Sequence, residues 1–172
     1  AALGKTRIRL MKSKMQAAGG VEISCRSTRW GALMAWSDGQ EPMEPQTLSQ
    51  ARATPEQDKA LANAWRLCRC LPGISMVAAD PFRMRAAVWA QTSLREAAQL
   101  IAQKLGVGDA AVVVACDSSF RFAEDVRILA DCGVSALLHL SGSPRQEEIS
   151  ARVNDLGLVM QIIDERVVAG KA

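Results

Sequence analysis

The chain has 172 residues, 49% apolar and 23% charged, which suits one globular domain with a real core and room for a leading arm. No apolar run approaches the ~20 residues that span a bilayer. A net charge of +3 is too small to mark a nucleic-acid binder. Neither a membrane nor a nucleic acid is therefore expected as a partner.

Residues 1–50 read as a leading arm. Lys5, Arg7, Arg9, Lys12 and Lys14 come before any acid. A transit-type segment and an RNA-binding arm are two readings of that run. A solvated basic edge strand from Arg7 to Met11 is the plainer one, since no aromatic residue interleaves the charges until Trp30. There is no apolar signal-peptide core, and Ala in place of Met at residue 1 points to a processed chain or a piece of a longer one. Val21 to Cys25 and Ala32 to Trp36 are short strand candidates, set off by Gly19-Gly20 and Gly31. Ser37 to Thr47, rich in Pro, Gly and acid, reads as a surface loop.

The signals sharpen from Thr54, within a domain spanning residues 51–172. Thr54-Pro55-Glu56-Gln57 is a capping box with Pro at the first helical position, and Leu61, Ala64, Trp65, Cys68 and Leu71 follow at helical spacing. Pro72-Gly73 ends that helix. Ile74 to Ala79 and Arg83 to Ala90 predict two strands joined around Asp80-Pro81, an antiparallel pair. Ser93-Leu94-Arg95-Glu96 is a second capping box; Leu94, Ala97, Ala98, Ile101 and Leu105 form the buried stripe, with Gly106 as C-terminal cap. Ala111 to Cys116 is a continuous apolar run, as a strand covered on both faces requires. A helix from about Ala123 buries Val126, Leu129 and Ala130. Val134 to Leu140 is the next strand. Ser143-Pro144-Arg145-Gln146 predicts a third capping box, ahead of Ile149, Val153 and Leu156. Leu158 to Ile163 is the last strand.

The order α-β-β-α-β-α-β-α-β predicts a mixed sheet with one antiparallel pair, followed by right-handed crossovers that place helices on the faces. The fold class is thus α/β, a three-layer α/β/α sandwich. Of the five cysteines, Cys25, Cys68, Cys70, Cys116 and Cys132, three lie in apolar periodic stretches. That pattern suits reduced core thiols in a cytoplasmic protein. Cys68-x-Cys70 cannot aim both thiols at one metal from a helix, and the single His139 lies in an apolar strand without metal-ligating partners.

In open α/β sheets, ligands gather where strands hand over to helix starts. The element order matches a cytidine deaminase-like architecture, whose zinc enzymes place H-x-E and P-C-x-x-C at two of those handovers. Ala90-Gln91-Thr92-Ser93 and Asp117-Ser118-Ser119-Phe120-Arg121-Phe122 stand there and contain no zinc-ligand set. Gln91, Ser93 and Asp117 can hydrogen-bond a ligand, and Phe120 and Phe122 offer ring faces to a planar one. Ser141-Gly142-Ser143 opens the next helix, where free N–H groups favour an anion. Ser93 and Ser143 are also explained as plain N-caps, and Phe122 as core. Asp117 asks for a partner, because a carboxylate at the end of a buried strand is costly alone.

These segments carry a resemblance. Val114-Ala115-Cys116-Asp117-Ser118-Ser119-Phe120-Arg121-Phe122-Ala123-Glu124-Asp125-Val126 resembles the A-S-D-A-F-F-P-F-R-D-N-V motif of AICAR transformylase, the folate-dependent part of a bifunctional family that also carries IMP cyclohydrolase. Cys25-Arg26-Ser27 to Trp36 is similar to its R-S-V-x-G-G-L-L-V-Q strand. Ala53-Thr54-Pro55-Glu56 with Ala64-Trp65-Arg66 is similar to P-T-x-x-E…A-W-K, and Ala90-Gln91-Thr92-Ser93 to G-Q-x-S-R. Leu140-Ser141-Gly142-Ser143 is similar to P-G-G-S, and Asn154 with Gly157 to Met160 to N-E-x-G-I-A-M. Nearly the whole chain is covered, by the family's C-terminal portion alone.

The resemblance implies purine biosynthesis, with formyl transfer from 10-formyltetrahydrofolate to AICAR, no metal, and dimerisation or a partner subunit that completes the site. It places Asp117, Phe120, Phe122, Glu124 and Asp125 in the folate-contacting motif, Glu124 standing for the family's Asp and Asp125 for its Asn. Gln91, Ser93 and Arg166 fall at the nucleotide substrate. The departures bear on catalysis. The family's catalytic Lys-His pair belongs to a subdomain not represented in this chain, so no catalytic residue is assigned. The K-S-N segment has become Leu71-Pro72-Gly73, the arginine of G-Q-x-S-R is Leu94, and the terminal R-H-F is Arg166-Val167-Val168. Without a general base, positioning alone gives weak catalysis. A non-catalytic relative, serving as a dimerisation or ligand-binding module, is the alternative.

Overall fold

The computed structural model describes residues 23–28, 31–36, 44–106 and 112–164. The Arg7 to Met11 strand, the first part of the 37–47 loop and Arg166 lie outside them. Strands β1 (Ile23–Thr28) and β2 (Gly31–Trp36) form one unit, an antiparallel hairpin that sets Ile23 opposite Trp36 and Thr28 opposite Gly31. The first strand therefore runs three residues beyond the expected Cys25.

The second unit contains β3 (Gln46–Thr47), α1 (Pro55–Arg69), β4 (Ile74–Ala79), β5 (Met84–Gln91), α2 (Leu94–Leu105), β6 (Val112–Cys116), α3 (Ala123–Asp131), β7 (Val134–Leu140), α4 (Gln146–Asp155) and β8 (Val159–Ile163). The capping box at α1 is complete. Thr54 Oγ1 accepts the Gln57 N–H at 3.2 Å, and Gln57 Oε1 accepts the Thr54 N–H at 2.9 Å. Glu56 and Asp58 in its first turn and Arg66 and Arg69 in its last suit the helix dipole. Its inner face buries Ala60, Leu61, Ala64, Trp65 and Cys68, and a side chain the size of Leu61 contributes about 1.5–3 kcal/mol when fully buried.

At α2 the box is half made. Ser93 Oγ accepts the Glu96 N–H at 3.2 Å, but the Glu96 carboxylate turns to Thr92, accepting a hydrogen bond from its hydroxyl at 2.7 Å. The third expected box does not form. The α4 helix starts at Gln146 with no side-chain cap, and Ser143 Oγ accepts the Arg145 N–H instead. A local turn over two residues has taken the hydroxyl that a cap would use.

The six-stranded sheet runs β3-β8-β7-β6-β4-β5. Three of its pairings are antiparallel, β3 with β8 and β4 with both β5 and β6, while β6, β7 and β8 are parallel. This corrects the single antiparallel pair expected from sequence. Strand β4 lies between β5 and β6, so the crossover through α2 spans it and gives the reversed strand two antiparallel neighbours. The short β3 then adds an edge from within the expected loop. Its two residues are too few to show periodicity.

From β5 onward the crossovers advance in one direction, so right-handedness places α2, α3 and α4 on one face. Their core takes Met76, Ala78, Val112, Val114, Leu137 and Met160 from the sheet. Helix α1 covers the other face with Val77, Ala79, Val113, Ala115, Ala136 and Leu138. The alternation along β6 serves both cores, which explains its unbroken apolar sequence. The architecture fits three layers. No helix among the described residues is long and apolar enough to cross a membrane.

Candidate functional site

Strands β5, β6, β7 and β8 point the same way, so Gln91, Asp117, Ser141 and Asp164 follow or end them at one edge of the sheet. Asp117 has found its partner. Its Oδ1 accepts the backbone N–H of Ser75 at 2.8 Å, and its own N–H reaches the Ser75 carbonyl at 3.4 Å. Beneath it, Ser75 Oγ donates to the Cys68 carbonyl at 2.9 Å and lies 3.0 Å from Cys68 Sγ. Burial pushes the Cys68 thiol up to about 12. This network joins the end of α1 to the start of β4 and the end of β6.

Gln91 Nε2 donates to the Trp89 carbonyl at 2.6 Å. Ala90, just before it, has φ 55°, a left-handed conformation that is rare for residues other than glycine. The Pro72 carbonyl accepts the Ala90 N–H at 3.0 Å, and a Cβ on Gly73 would lie 3.2 Å from Ala90 Cα. The Leu71-Pro72-Gly73 segment is therefore packed directly on the backbone that presents Gln91. Ser93 serves as the N-cap of α2.

Of the two phenylalanines expected to offer ring faces, only one is accessible. Phe120 is fully buried, its ring edge-on to His139 at 5.2 Å between centroids, so the ring face expected to meet a ligand lies in the core. Phe122, which had a core reading, is 44% exposed. In an extended strand residues two apart share one side, so the burial of Phe120 and the exposure of Phe122 show that the segment after β6 is not a regular strand, which sequence alone does not say.

His139 lies in the same core. Its Nδ1 is 2.7 Å from the Leu140 carbonyl, so the neutral ring donates there, and Nε2 has no partner among the described residues. Burial pulls its pKa down to about 4. Burial likewise pushes the Cys116 thiol well above its ordinary value. No group of three His, Cys, Asp or Glu side chains suited to a metal ion occurs among the described residues.

Glu124 is exposed, 3.9 Å from Arg127. Asp125 is only 2% exposed and accepts the Arg95 Nε–H at 2.9 Å. That hydrogen bond raises the guanidinium pKa further. Arg95 also lies over the Phe122 ring, 5.5 Å from its centroid, and Arg145 lies over the same ring at 5.2 Å. Ser143, Pro144, Arg145, Gln146, Glu147 and Glu148 line an open depression of about 480 Å³. Sequence reasoning missed Arg95 and Arg145 as neighbours of Phe122. The available signal was the shift of arginine from the motif position, now the buried Leu94, to the next residue.

No family model matches the chain. Curated relatives do match it. The chain is 29% identical over 167 residues to the "Bifunctional purine biosynthesis protein PurH" of Synechococcus sp., covering 94% of the chain and 32% of that protein. It is 28% identical over 167 residues to the protein of the same description from Mycobacterium leprae, covering 94% and 31%. The counterpart from Myxococcus xanthus is 26% identical over 152 residues, covering 88% and 30%. The resemblance to this bifunctional family read from the sequence is thus borne out along most of the chain. The chain spans about a third of the length of these relatives.

Proposed function

We propose that this chain is an AICAR transformylase-like domain of purine biosynthesis, which binds 10-formyltetrahydrofolate at the carboxyl edge of its sheet. In this reading it takes part in formyl transfer to AICAR together with a catalytic portion supplied by another segment or subunit. Similarity along 94% of the chain to proteins described as bifunctional purine biosynthesis enzymes carries the proposal. The order β5-β4-β6-β7-β8, with one strand reversed, supports a cytidine deaminase-like architecture.

The described residues suit a folate in a particular way. Phe122 offers an exposed ring for stacking a planar group, and Glu124 has an accessible carboxylate beside it. Gln91 and Ser93 stand at the neighbouring handover, the expected place of the nucleotide, with Arg166 named there by resemblance. Asp117, Phe120 and Asp125 support that surface from within, because each is already engaged by protein groups. The folate would supply the formyl group. These residues would bind and orient it, and the chain would dimerise or pair with the portion bearing the Lys-His pair.

A second reading is favoured by one specific observation. Leu71-Pro72-Gly73 stands in place of the family's K-S-N, and its glycine is packed against Ala90 with no side chain to offer. A non-catalytic module that binds ligand or dimerises would tolerate that loss. Calorimetry with a folate analogue and AICAR, run separately, followed by a formyl-transfer assay, separates the readings. Binding of both with transfer on adding the missing portion supports the enzyme domain. Folate binding without transfer supports the module, and no binding of either ligand contradicts the folate reading.

A further inference from the structure

We propose that the outer edge of β5 is the surface through which two copies of this chain pair, strand against strand and antiparallel, so that their sheets join. The pairing goes beyond the reading above in naming a surface, and nothing in it requires folate. The two edges of the sheet are built differently. At β8 the edge is covered: β3 pairs with it, the Leu48 N–H donates to the Met160 carbonyl at 2.9 Å, and Ser49 Oγ accepts the Met160 N–H at 2.9 Å. At the other end of the strand order β5 pairs with β4 alone, and no described strand lies on its outer side. With eight residues β5 is the longest strand of the sheet, and Ala86 to Trp89 carry no charge. A bare apolar edge of this kind is a template for another strand.

The face of β5 turned towards α1 is open as well. Helix α1 lies over β4, β6 and β7, while α2 packs on the opposite face of β5 over Ala86 and Val88. Met84 stands opposite Ala79 and Ala87 opposite Val77, both in the α1 core, and alternation places Trp89 on their side. Met84 and Trp89 are each half exposed, and Phe82 at the hairpin turn is 94% exposed. Covering these three side chains would remove on the order of 400 Å² per copy, a patch of the size that marks an interaction surface. That is about half of the ~800 Å² per partner of a standard interface, and the paired backbone edge adds to it. A second copy fits because it brings an identical edge, which a two-fold axis sets antiparallel to the first. The register with β4 is regular from Ala86 to Val88, so the axis falls at Ala87, whose small side chain leaves room for the Trp89 of each copy. Pairing about Ala87 brings the exposed Arg83 towards the partner's Gln91 and away from the partner's Arg83, so like charges do not meet.

The test is sedimentation velocity of the full chain, without folate, from about 5 μM to about 1 mM, where the pairing predicts a dimer that dissociates on dilution. Trp89→Lys should weaken that dimer at least roughly tenfold. Met84→Lys, run beside it in case the first variant folds poorly, should weaken it in the same direction, and thermal unfolding confirms that each variant is folded. Amide hydrogen exchange in β5 should slow as concentration rises. In a Cys70→Ser background, Ala87→Cys should form a disulfide with its own copy on mild oxidation, because opposite residues of an antiparallel pair bring their Cβ atoms to about 5 Å. The background alone should not. A chain that stays monomeric throughout, or a dimer indifferent to both lysine variants, overturns the pairing. A dimer that Ala87→Cys does not cross-link overturns the register about Ala87. Protection of the β5 amides only on adding the family's missing portion assigns the edge to that portion and rejects the second copy. Because no sample contains folate, failure here and failure of the folate reading are told apart.

Discussion

The Ser75 backbone N–H donates to Asp117 Oδ1 at 2.8 Å, so the carboxylate that follows β6 also fixes the start of β4. That relationship explains why a carboxylate stands at the end of a wholly apolar strand. Asp117→Ala leaves the Ser75 N–H without its acceptor and should cost about 1–3 kcal/mol. Asp117→Asn keeps a carbonyl oxygen in place and should cost less than half as much. Urea unfolding of the two variants measures the difference.

His139 makes stability depend on pH. Its folded pKa is about 4 against an ordinary 6.5. As pH falls through 6.5 the unfolded chain takes up a proton that the folded chain refuses until about pH 4. Stability is therefore lost across that window, by on the order of 3 kcal/mol for the full shift. Unfolding curves at stepped pH should show this slope, and His139→Leu should remove its share.

Gly73 has φ 67° and a 3.2 Å approach to Ala90 Cα for any added Cβ. Gly73→Ala should cost at least the ~1–2 kcal/mol of a left-handed L-residue. Because the atom it meets is backbone, the change should also move Ala90. Thermal unfolding gives the cost, and shifted backbone amide resonances of Ala90 and Gln91 report the displacement.

Among the described cysteines, Cys70 is exposed, while Cys68, Cys116 and Cys132 are buried with thiol pKa values pushed up by desolvation. Thiolate is the reactive form. In the native chain at neutral pH, Cys70 should be alkylated before those three, and the others only on unfolding. Peptide mass mapping over time checks the order.

Helices and central strands were legible because their signals are local. The Thr54 capping box, the Ala97/Ala98/Ile101 stripe and the unbroken run into Cys116 each follow from spacing alone. What was not legible depends on contacts distant in sequence. The second antiparallel neighbour of β4 follows from where α2 carries the chain. The burial of Phe120 goes with its packing against His139, and the fate of Asp125 with Arg95, 30 residues earlier. Ser143 misled because a two-residue turn and an N-cap use the same hydroxyl, and only the backbone decides between them.

The most direct test is a calorimetric titration of the chain and of Phe122→Leu with 5-formyltetrahydrofolate, a stable folate. Phe122 is exposed, so its replacement leaves the core intact. The account predicts sub-millimolar binding to the native chain, weakened roughly fivefold or more in the variant through loss of ring stacking. No binding below millimolar concentration, or binding that is indifferent to Phe122, would contradict it.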